Sequence, residues 1–164
     1  MRTLTSLALR SVQDQCGSAV RAALAEFLHD KQQAAITPQV EMFVGWLREF
    51  LAGGKCLRPL LCCCGWLAAD GERLLPTQLV KLAASLELFH AFCLIHDDVM
   101  DGSDTRRGRP AAHHRIAACH PGHRDPGRVG VNTAILLGDV TLGWSFELVH
   151  AAGLDAAQAA VVCR

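Results

Sequence analysis

The sequence contains no tyrosine and few other aromatic residues, with only three tryptophans and six phenylalanines among 164 residues. Aromatic and β-branched side chains are typical of strands, whereas the alanine and leucine that dominate this chain favour helices. The shortage of aromatic residues therefore argues against a β-rich fold. Hydrophobic residues make up 51% of the chain, which is enough apolar material for one modest domain.

The chain also lacks a net charge, because 16 basic residues balance 16 acidic ones. Proteins that bind nucleic acid or an anionic membrane surface usually carry an excess of basic residues, so neither partner is expected. The charges are unevenly distributed, however. Six arginines and only two aspartates lie between residues 104 and 128, so positive charge is concentrated in one stretch.

Several common site motifs are missing. The eight cysteines form no Cys-x-x-Cys pair, and the segment CHPGH at 119–123 has no second half at zinc-ligand spacing. The consecutive Cys62, Cys63 and Cys64 point in different directions on a helix, and we interpret them as small buried residues of a reducing, cytoplasmic protein. Neither GxGxxG nor GxxxxGK[ST] occurs, which disfavours nucleotide phosphates as ligands.

No targeting or membrane-spanning segment is predicted. Arg10 interrupts the apolar N-terminal stretch, which makes it a poor secretory signal. The most apolar longer segment, residues 131–149, contains Asp139 and Glu147, and charges are costly in lipid. We expect this segment to be a buried helix.

The spacing of apolar residues and the positions of Gly and Pro predict an all-α protein. Loops are expected at 103–109 and 120–128, and no segment shows the alternation that is typical of a strand. One or two helical turns are expected after Asp155, which is a candidate cap. The predicted helices cover residues 9–29, 38–52, 58–70, 76–101, 110–118 and 131–152.

The segment DDVMD places three aspartates at the end of an apolar helix. Asp97 and Asp101 are four residues apart and share a helix face, while Asp98 lies about 100° away and can reach the same neighbourhood. Acidic residues at a helix C-terminus repel one another and oppose the helix dipole. A divalent cation removes this penalty, and oxygen ligands suit Mg²⁺. The alternative is a solvated acidic helix end.

Basic residues that can meet a phosphate flank this motif. Arg106 and Arg107 follow the aspartates, and His90 precedes Asp97 by two helical turns. Lys55 and Arg58 lie in GGKCLRP, at the start of a helix whose free N–H groups favour anions. Each residue alone has an ordinary explanation as part of a solvated loop or of the core. Together with the aspartates they predict a diphosphate site with a metal ion on one side and cationic side chains on the other.

These segments occur in a recognisable order. GGKCLRP, ELFHAFCLIHDDVMDGSDTRRGRP and NTAILLGDVTL resemble the front half of a trans-isoprenyl diphosphate synthase of the polyprenyl synthetase family, over about residues 40–152. The resemblance implies a fold of antiparallel helices around a deep apolar pocket, usually in a homodimer. It also implies a Mg²⁺-dependent, head-to-tail condensation of isopentenyl diphosphate with an allylic diphosphate.

The resemblance further implies roles for individual residues. The metal ligands that hold the allylic diphosphate would be Asp97, Asp98 and Asp101. These three aspartates and Arg106, which would also contact that diphosphate, would be the catalytic residues. The substrate-binding residues would be Lys55, Arg58, His90, Arg106 and Arg107. Phe92 and Cys93 lie one turn before Asp97 and would limit product length in a pattern that resembles C20 synthases, although C15 or longer products stay open.

The chain departs from the family pattern in two respects. Cys56 replaces an arginine that many members have, so we expect a weaker positive field around the K-x-x-R pair. Family members are about twice as long and carry a second aspartate-rich motif, which this sequence lacks. We therefore expect residues 1–164 to be the N-terminal portion of a truncated isoprenoid-synthase-type bundle, with its C-terminal half absent and with little or no turnover of its own.

Two alternatives remain open. The chain can be a non-catalytic subunit that pairs with a full-length synthase, or a partner that binds a prenyl diphosphate without converting it. It can also be related to the metal-dependent terpene cyclases, which share an aspartate-rich motif but generally lack the K-x-x-R and RRG motifs.

Overall fold

The computed structural model describes residues 6–70 and 75–163. The described part of the chain is 78% helical, which confirms the all-α prediction. The helices of the described part are α1 (Ser6–Gln33), α2 (Pro38–Ala52), α3 (Leu57–Asp70), α4 (Thr77–Met100), α5 (Ala112–Ala118), α6 (Pro126–Ala151) and α7 (Ala156–Val162).

The ends of α2 and α7 follow from local sequence signals. Thr37 is extended (φ −144°, ψ 149°) and precedes Pro38 at the first helical position, while Gly53 ends α2. At α7 the side chain of Asp155 accepts a hydrogen bond from the backbone N–H of Gln158 at 2.8 Å. The Gln158 side chain in turn accepts from the Asp155 N–H, which completes a capping box.

A small β-hairpin occupies residues 105–110, where the sequence predicted a loop at 103–109 and the start of a short helix at Pro110. Strand β1 (Thr105–Arg106) pairs with β2 (Arg109–Pro110), and Arg106 lies opposite Arg109. The two residues between the strands, Arg107 and Gly108, have φ values of 54° and 74°. Positive φ at both central positions is what a two-residue type I′ turn requires. The prediction was wrong here because two-residue strands are too short to show alternation.

The start of α6 also differs from the prediction, since the helix begins five residues earlier than residue 131. Asp125 Oδ1 accepts a hydrogen bond from the Arg128 N–H at 3.0 Å, and Pro126 occupies the first helical position. This is an ordinary N-terminal cap. The nearby Gly127 and Gly130 concealed it in the sequence, because glycines usually indicate a loop.

The chain forms two compact units, and the first comprises the described parts of Met1–Ala34, Lys55–Glu87 and Ser145–Arg164. Its core includes Cys16, Val20, Leu24 and Leu28, which follow one another at four-residue spacing on α1 and are at most 5% exposed. This stripe is the buried face of an amphipathic helix. Helix α1 packs against α3, where Cys16 Sγ lies 2.7 Å from Cys63 Sγ.

The second unit comprises Ala35–Gly54 and Leu88–Trp144. Its core brings together α4, α5 and α6 through Ile95, Ile116, Ala134 and Leu137. Partly buried apolar residues from α2, α4 and α5 surround this cluster, namely Phe43, Trp46, Phe50, Val99 and Ala112. The core thereby fixes the C-terminal end of α4, on which the aspartates lie.

Helices α4 and α6 are long and apolar enough to cross a membrane by length and composition alone. Their most apolar windows are 44% and 33% buried, and the core helices of globular proteins satisfy the same criterion. The absence of a membrane span therefore stays a prediction from the sequence.

Candidate functional site

The three aspartates at the end of α4 do not all point in the same direction. The side chain of Asp97 is 48% exposed and Asp101 is also exposed, whereas Asp98 is fully buried. The N–H of Asp101 donates to the Asp97 carbonyl at 2.8 Å, so helical geometry continues one residue past Met100. A helix turns by about 100° per residue. Asp97 and Asp101 therefore share an outward face, and Asp98 points inward.

Arg106 on β1 is the counter-ion of this acidic cluster. Its Nε and Nη2 atoms donate to Asp98 Oδ1 at 2.8 Å and 2.5 Å. Nη2 also donates to Asp97 Oδ2 at 2.9 Å. Hydrogen bonding to Asp98 raises the pKa of Arg106 above its ordinary value. The hairpin thus brings a permanent positive charge to the only buried aspartate of the motif, which is the pairing that a buried carboxylate requires.

Two buried polar atoms near the motif have no hydrogen-bond partner among the described residues, Asp98 Oδ2 and His113 Nδ1. His113 lies in the first turn of α5. Its pKa is lowered mainly by burial and to a smaller extent by the neighbouring His114. The charges of Asp98 and Asp104 act in the opposite direction. The sequence analysis missed His113, although its three-residue spacing from the buried Ile116 marks it as a core position of α5.

Arg107 lies at the tip of the hairpin turn. Its Nη1 atom donates to the Phe50 carbonyl oxygen at 3.4 Å, and its guanidinium carbon lies 5.8 Å from the centroid of the Phe50 ring. The left-handed backbone of Arg107 costs free energy for a residue other than glycine. The turn therefore holds this arginine in a fixed and exposed position beside α2.

The remaining predicted residues of α4 lie one to two turns before the aspartates. His90 and Phe92 are partly buried, while Cys93 is exposed. The Phe92 ring meets the His96 ring edge-on at a centroid distance of 4.8 Å. His96 Nε2 also lies 3.1 Å from the Ile135 carbonyl oxygen, which links α4 to α6. The roles of His90 in substrate binding and of Phe92 and Cys93 in setting chain length stay predictions.

Lys55 and Arg58 belong to the first unit, and both are exposed. Between them Cys56 is only 6% exposed and has a φ of 48°. Burial raises the pKa of its thiol. Cys56 therefore points into the first unit, away from the solvent that Lys55 and Arg58 face. The diphosphate-binding role of this pair also stays a prediction.

The donor chemistry of Asp97 and Asp101 suits Mg²⁺ shared with a phosphate ligand. Within residues 6–70 and 75–163, no group of three or more His, Cys, Asp or Glu side chains is arranged to hold a metal ion. Mg²⁺ is commonly bound by one or two carboxylates, with water and substrate phosphates completing its shell. The two outward carboxylates fit this pattern, and Asp97 also accepts a hydrogen bond from Arg106, whereas Asp98 is buried against that arginine.

Comparison with known proteins identifies the family. Residues 40–162 match the family model described as Polyprenyl synthetase. The chain belongs to the polyprenyl synthetase family. This confirms the resemblance drawn from GGKCLRP, DDVMD and RRG, and the predicted site residues all fall inside the matched region.

Members of this family are similar to the chain over part of their length. A short chain isoprenyl diphosphate synthase of Methanothermobacter thermautotrophicus is 40% identical over 98 residues, which are 60% of this chain and 25% of that protein. Another relative is the large subunit 1 of a heterodimeric, chloroplastic geranylgeranyl pyrophosphate synthase of Arabidopsis thaliana. It is 35% identical over 101 residues, which are 60% of this chain and 23% of that protein.

A crystal structure supports the same assignment. The geranylgeranyl pyrophosphate synthase of Corynebacterium glutamicum, complexed with isoprenyl diphosphate and magnesium, superposes with a TM-score of 0.81 at 38% identity. The superposition covers 87% of this chain and 43% of that one. The match of this polyprenyl synthetase chain thus spans less than half of the length of each of these relatives.

Proposed function

We propose that this chain provides the first aspartate-rich part of a trans-prenyltransferase that condenses isopentenyl diphosphate with an allylic diphosphate. The observation that carries the proposal is Arg106, which bridges Asp97 and Asp98 and leaves the Asp101 carboxylate facing outward. Membership of the polyprenyl synthetase family supports it. A short-chain product, with C20 favoured, agrees with the geranylgeranyl synthases among the relatives.

The reaction requires a diphosphate to leave an allylic carbon. That C–O bond breaks when the charge that develops on the leaving diphosphate is neutralised. Arg106 is held beside Asp97 and can contribute to this neutralisation, while Asp98 fixes the direction of its guanidinium group. Mg²⁺ held by Asp97 and Asp101 would supply further positive charge. Lys55, Arg58, His90 and Arg107 would hold the second diphosphate, so that the two substrates meet in a fixed orientation.

A second candidate is a non-catalytic subunit. Helix α6 exposes large apolar side chains, including Ile135 (39% exposed), Leu136 (56%) and Phe146 (54%). Exposed apolar groups of this size favour association with another protein surface. One relative is the large subunit of a heterodimeric synthase, which makes pairing with a full-length synthase a reasonable alternative to a homodimer. The cytoplasmic location predicted from the sequence stays a prediction.

Calorimetric titration of the chain with inorganic pyrophosphate in the presence of Mg²⁺ tests the site directly. We expect Asp97→Asn and Asp101→Asn each to weaken binding by about tenfold or more, because each removes a candidate carboxylate ligand. Asp104→Asn is the matched control, since Asp104 is exposed and contacts His114 rather than the motif. Equal affinities for all three variants would remove the aspartates from the diphosphate site.

Turnover is a separate question from binding. The sequence contains one aspartate-rich motif, so we expect little product when the purified chain is incubated with Mg²⁺, isopentenyl diphosphate and geranyl diphosphate. Products can be separated by chain length, and their yield can be measured from the label incorporated from labelled isopentenyl diphosphate. Steady formation of a longer isoprenyl diphosphate by the chain alone would favour a complete enzyme over a subunit.

A further inference from the structure

Two cysteine thiols of the first unit lie in contact with each other. Cys16 on α1 and Cys63 on α3 are 1% and 0% exposed, and their Sγ atoms are hydrogen-bonded at 2.7 Å. The two residues are 47 positions apart in the sequence, so it is the packing of the two helices that brings them together. Neither residue belongs to the candidate diphosphate site.

The contact leaves little movement before a covalent bond can form. The sulfur atoms of a disulfide lie about 2.05 Å apart, so these two need to approach by only roughly 0.7 Å. Cys16 Sγ also donates to the Pro59 carbonyl oxygen at 3.6 Å, which places it against the first turn of α3. Cys63 follows Pro59 by one helical turn, so both sulfur atoms lie at the same point between α1 and α3.

Three further cysteines of the first unit lie close to this pair in the sequence or in space. Cys62 and Cys64 adjoin Cys63 and are only partly buried. A helix turns by about 100° per residue, so they point to either side of Cys63 rather than towards α1. Cys56 is buried before the start of α3, where an arginine side chain engages its thiol. The structure thus selects Cys63 as the partner of Cys16.

We propose that Cys16 and Cys63 form a reversible disulfide when the protein meets a hydroperoxide, and that this bond fixes α1 on α3. With hydrogen peroxide, the Cys16 thiolate attacks one oxygen and breaks the O–O bond, which gives a sulfenic acid and a hydroxide ion that takes up the proton Cys16 has lost. The Cys63 sulfur then attacks the Cys16 sulfur, and the hydroxyl group leaves as water with the Cys63 proton. Two thiols and one peroxide thereby give one disulfide and two water molecules.

The surroundings assign the attacking role to Cys16 and make the reaction slow. Burial raises the pKa of both thiols, and the hydrogen bond between them offsets part of this rise at Cys16 while adding to it at Cys63. Cys16 is therefore the first of the two to form the thiolate, which is the species that attacks a peroxide. Because both side chains are shielded from solvent, the pair stays reduced in a reducing medium and closes under sustained oxidation.

The disulfide would join two separate segments of the first unit. The loop that it closes includes all of α2, which belongs to the second unit. A cross-link across a long loop restricts the unfolded chain more than the folded one. The oxidised protein should therefore melt at a temperature higher by roughly 10 °C than the reduced protein.

Counting thiols after treatment with hydrogen peroxide tests the proposal. The test uses a background with the exposed cysteines replaced, which keeps the five cysteines of the first unit and carries Cys93→Ser, Cys119→Ser and Cys163→Ser. After oxidation, denaturation in the presence of a maleimide should label three of these five thiols. The unlabelled protein should be lighter by about 2 Da, the mass of the two hydrogen atoms removed. Dithiothreitol should restore all five thiols and the lower melting temperature.

Single substitutions in this background identify the pair. Cys16→Ala and Cys63→Ala should each abolish the cross-link, so that all remaining thiols are labelled after oxidation. Cys62→Ala is the matched control, since Cys62 adjoins Cys63 on the same helix, and it should retain the cross-link and the rise in melting temperature. Circular dichroism and thermal unfolding in the presence of a reductant establish that each variant is folded before it is oxidised.

Three results would overturn the assignment. The first is a cross-link in Cys63→Ala to the same extent as in the background, and the second is a peptide map that links Cys16 to another cysteine. The third is five reactive thiols under conditions that fully oxidise the exposed Cys119 of the wild-type protein. None of these measurements depends on diphosphate binding, which Cys16→Ala should leave unchanged, so the proposed function is tested separately.

Discussion

Arg106 donates two hydrogen bonds to one oxygen of Asp98, from Nε at 2.8 Å and from Nη2 at 2.5 Å, and the Asp98 side chain has no solvent exposure. A charged carboxylate is tolerated in such a place only with a cation beside it. The arginine of the hairpin is therefore part of the fold of the second unit, in addition to its proposed contact with a diphosphate. This dual role can be measured.

Arg106→Ala should lower the free energy of unfolding by roughly 3–5 kcal/mol, the usual cost of leaving a buried ion-pair partner uncompensated. Urea denaturation followed by circular dichroism provides the measurement. Arg109→Ala is the control, because Arg109 lies opposite on the same hairpin but is exposed; its cost should stay within about 0.5 kcal/mol. Similar costs for the two variants would mean that Asp98 does not depend on Arg106.

Removing the charge of Asp98 together with that of Arg106 should be less harmful than removing Arg106 alone. The double variant Asp98→Asn with Arg106→Gln leaves no uncompensated charge and keeps similar side-chain shapes. We expect it to recover a large part of the stability that Arg106→Ala loses. If the double variant is no more stable than Arg106→Gln alone, the unpaired carboxylate is not the source of the penalty.

Two glycines of α6 should respond to alanine with opposite signs. A Cβ atom at Gly130 would collide with the backbone carbonyl of His113 and crowd Ala117, whereas one at Gly143 would meet nothing within 4 Å. Gly130→Ala should therefore destabilise the chain by about 1–3 kcal/mol through overpacking. Gly143→Ala should stabilise it by up to about 1 kcal/mol, because alanine favours the helix. Thermal unfolding of both variants compares them, and shifts of equal sign would contradict the close approach of α5 and α6.

Four cysteine thiols of the first unit, three of them buried and that of Cys62 partly buried, predict a loss of stability in alkaline solution. Burial raises the pKa values of Cys16, Cys56, Cys62 and Cys63 above the ordinary value of 9.0. Above that pH the unfolded chain releases thiol protons that the folded chain retains, so the free energy of unfolding should fall as pH rises. Each fully retained proton contributes a slope of at most about 1.4 kcal/mol per pH unit.

Urea denaturation in the presence of a reductant measures this slope. The pH should run from about 8 to about 10.5, which is roughly one unit below to one and a half units above the ordinary pKa of a thiol. Cys16→Ala combined with Cys63→Ala should flatten it, because both side chains are almost fully buried. The exposed Cys119 offers a control, and Cys119→Ala should leave the slope unchanged. A wild-type curve without any alkaline decline would contradict the burial of these thiols.

The ion pair between Lys31 and Glu147 should contribute little despite its short contact of 2.5 Å. The two side chains are 21% and 50% exposed, and ion pairs in contact with solvent are weakened by water and salt. A double-mutant cycle with Lys31→Gln and Glu147→Gln should give a coupling free energy of about 0.2–1 kcal/mol that decreases in high salt. A larger, salt-independent value would indicate that the pair is shielded from solvent.

The main helices were predictable because their signals are local. Thr37-Pro38 and Gly53 mark the two ends of α2, and Asp155 marks the start of α7, all within a few residues of the feature itself. The hairpin was not predictable in this way. Its strands have two residues each, and its turn places Arg107 in a left-handed conformation where asparagine or aspartate is usual.

The candidate site was likewise predictable only where its signals are local in the sequence. The residue types and spacing of DDVMD and RRG predicted a site that combines acidic and cationic side chains. The family match confirmed that the chain belongs to the polyprenyl synthetase family. The spacing could not reveal which aspartate faces inward, because that depends on how α4 is rotated against the hairpin and the core. His113 was missed for a related reason, since its burial results from packing of α5 in the second unit.

The rotation of α4 has a consequence for how such acidic motifs work. A single residue inserted between the core positions of α4 and Asp97 would advance the motif by about 100°, so that another carboxylate would meet the guanidinium of Arg106 and Asp98 would turn towards solvent. The sequence DDxxD would be unchanged, yet a different aspartate would be buried. The rotational position of the helix, rather than the number of aspartates, therefore decides which acid is buried against Arg106 and which acids face solvent.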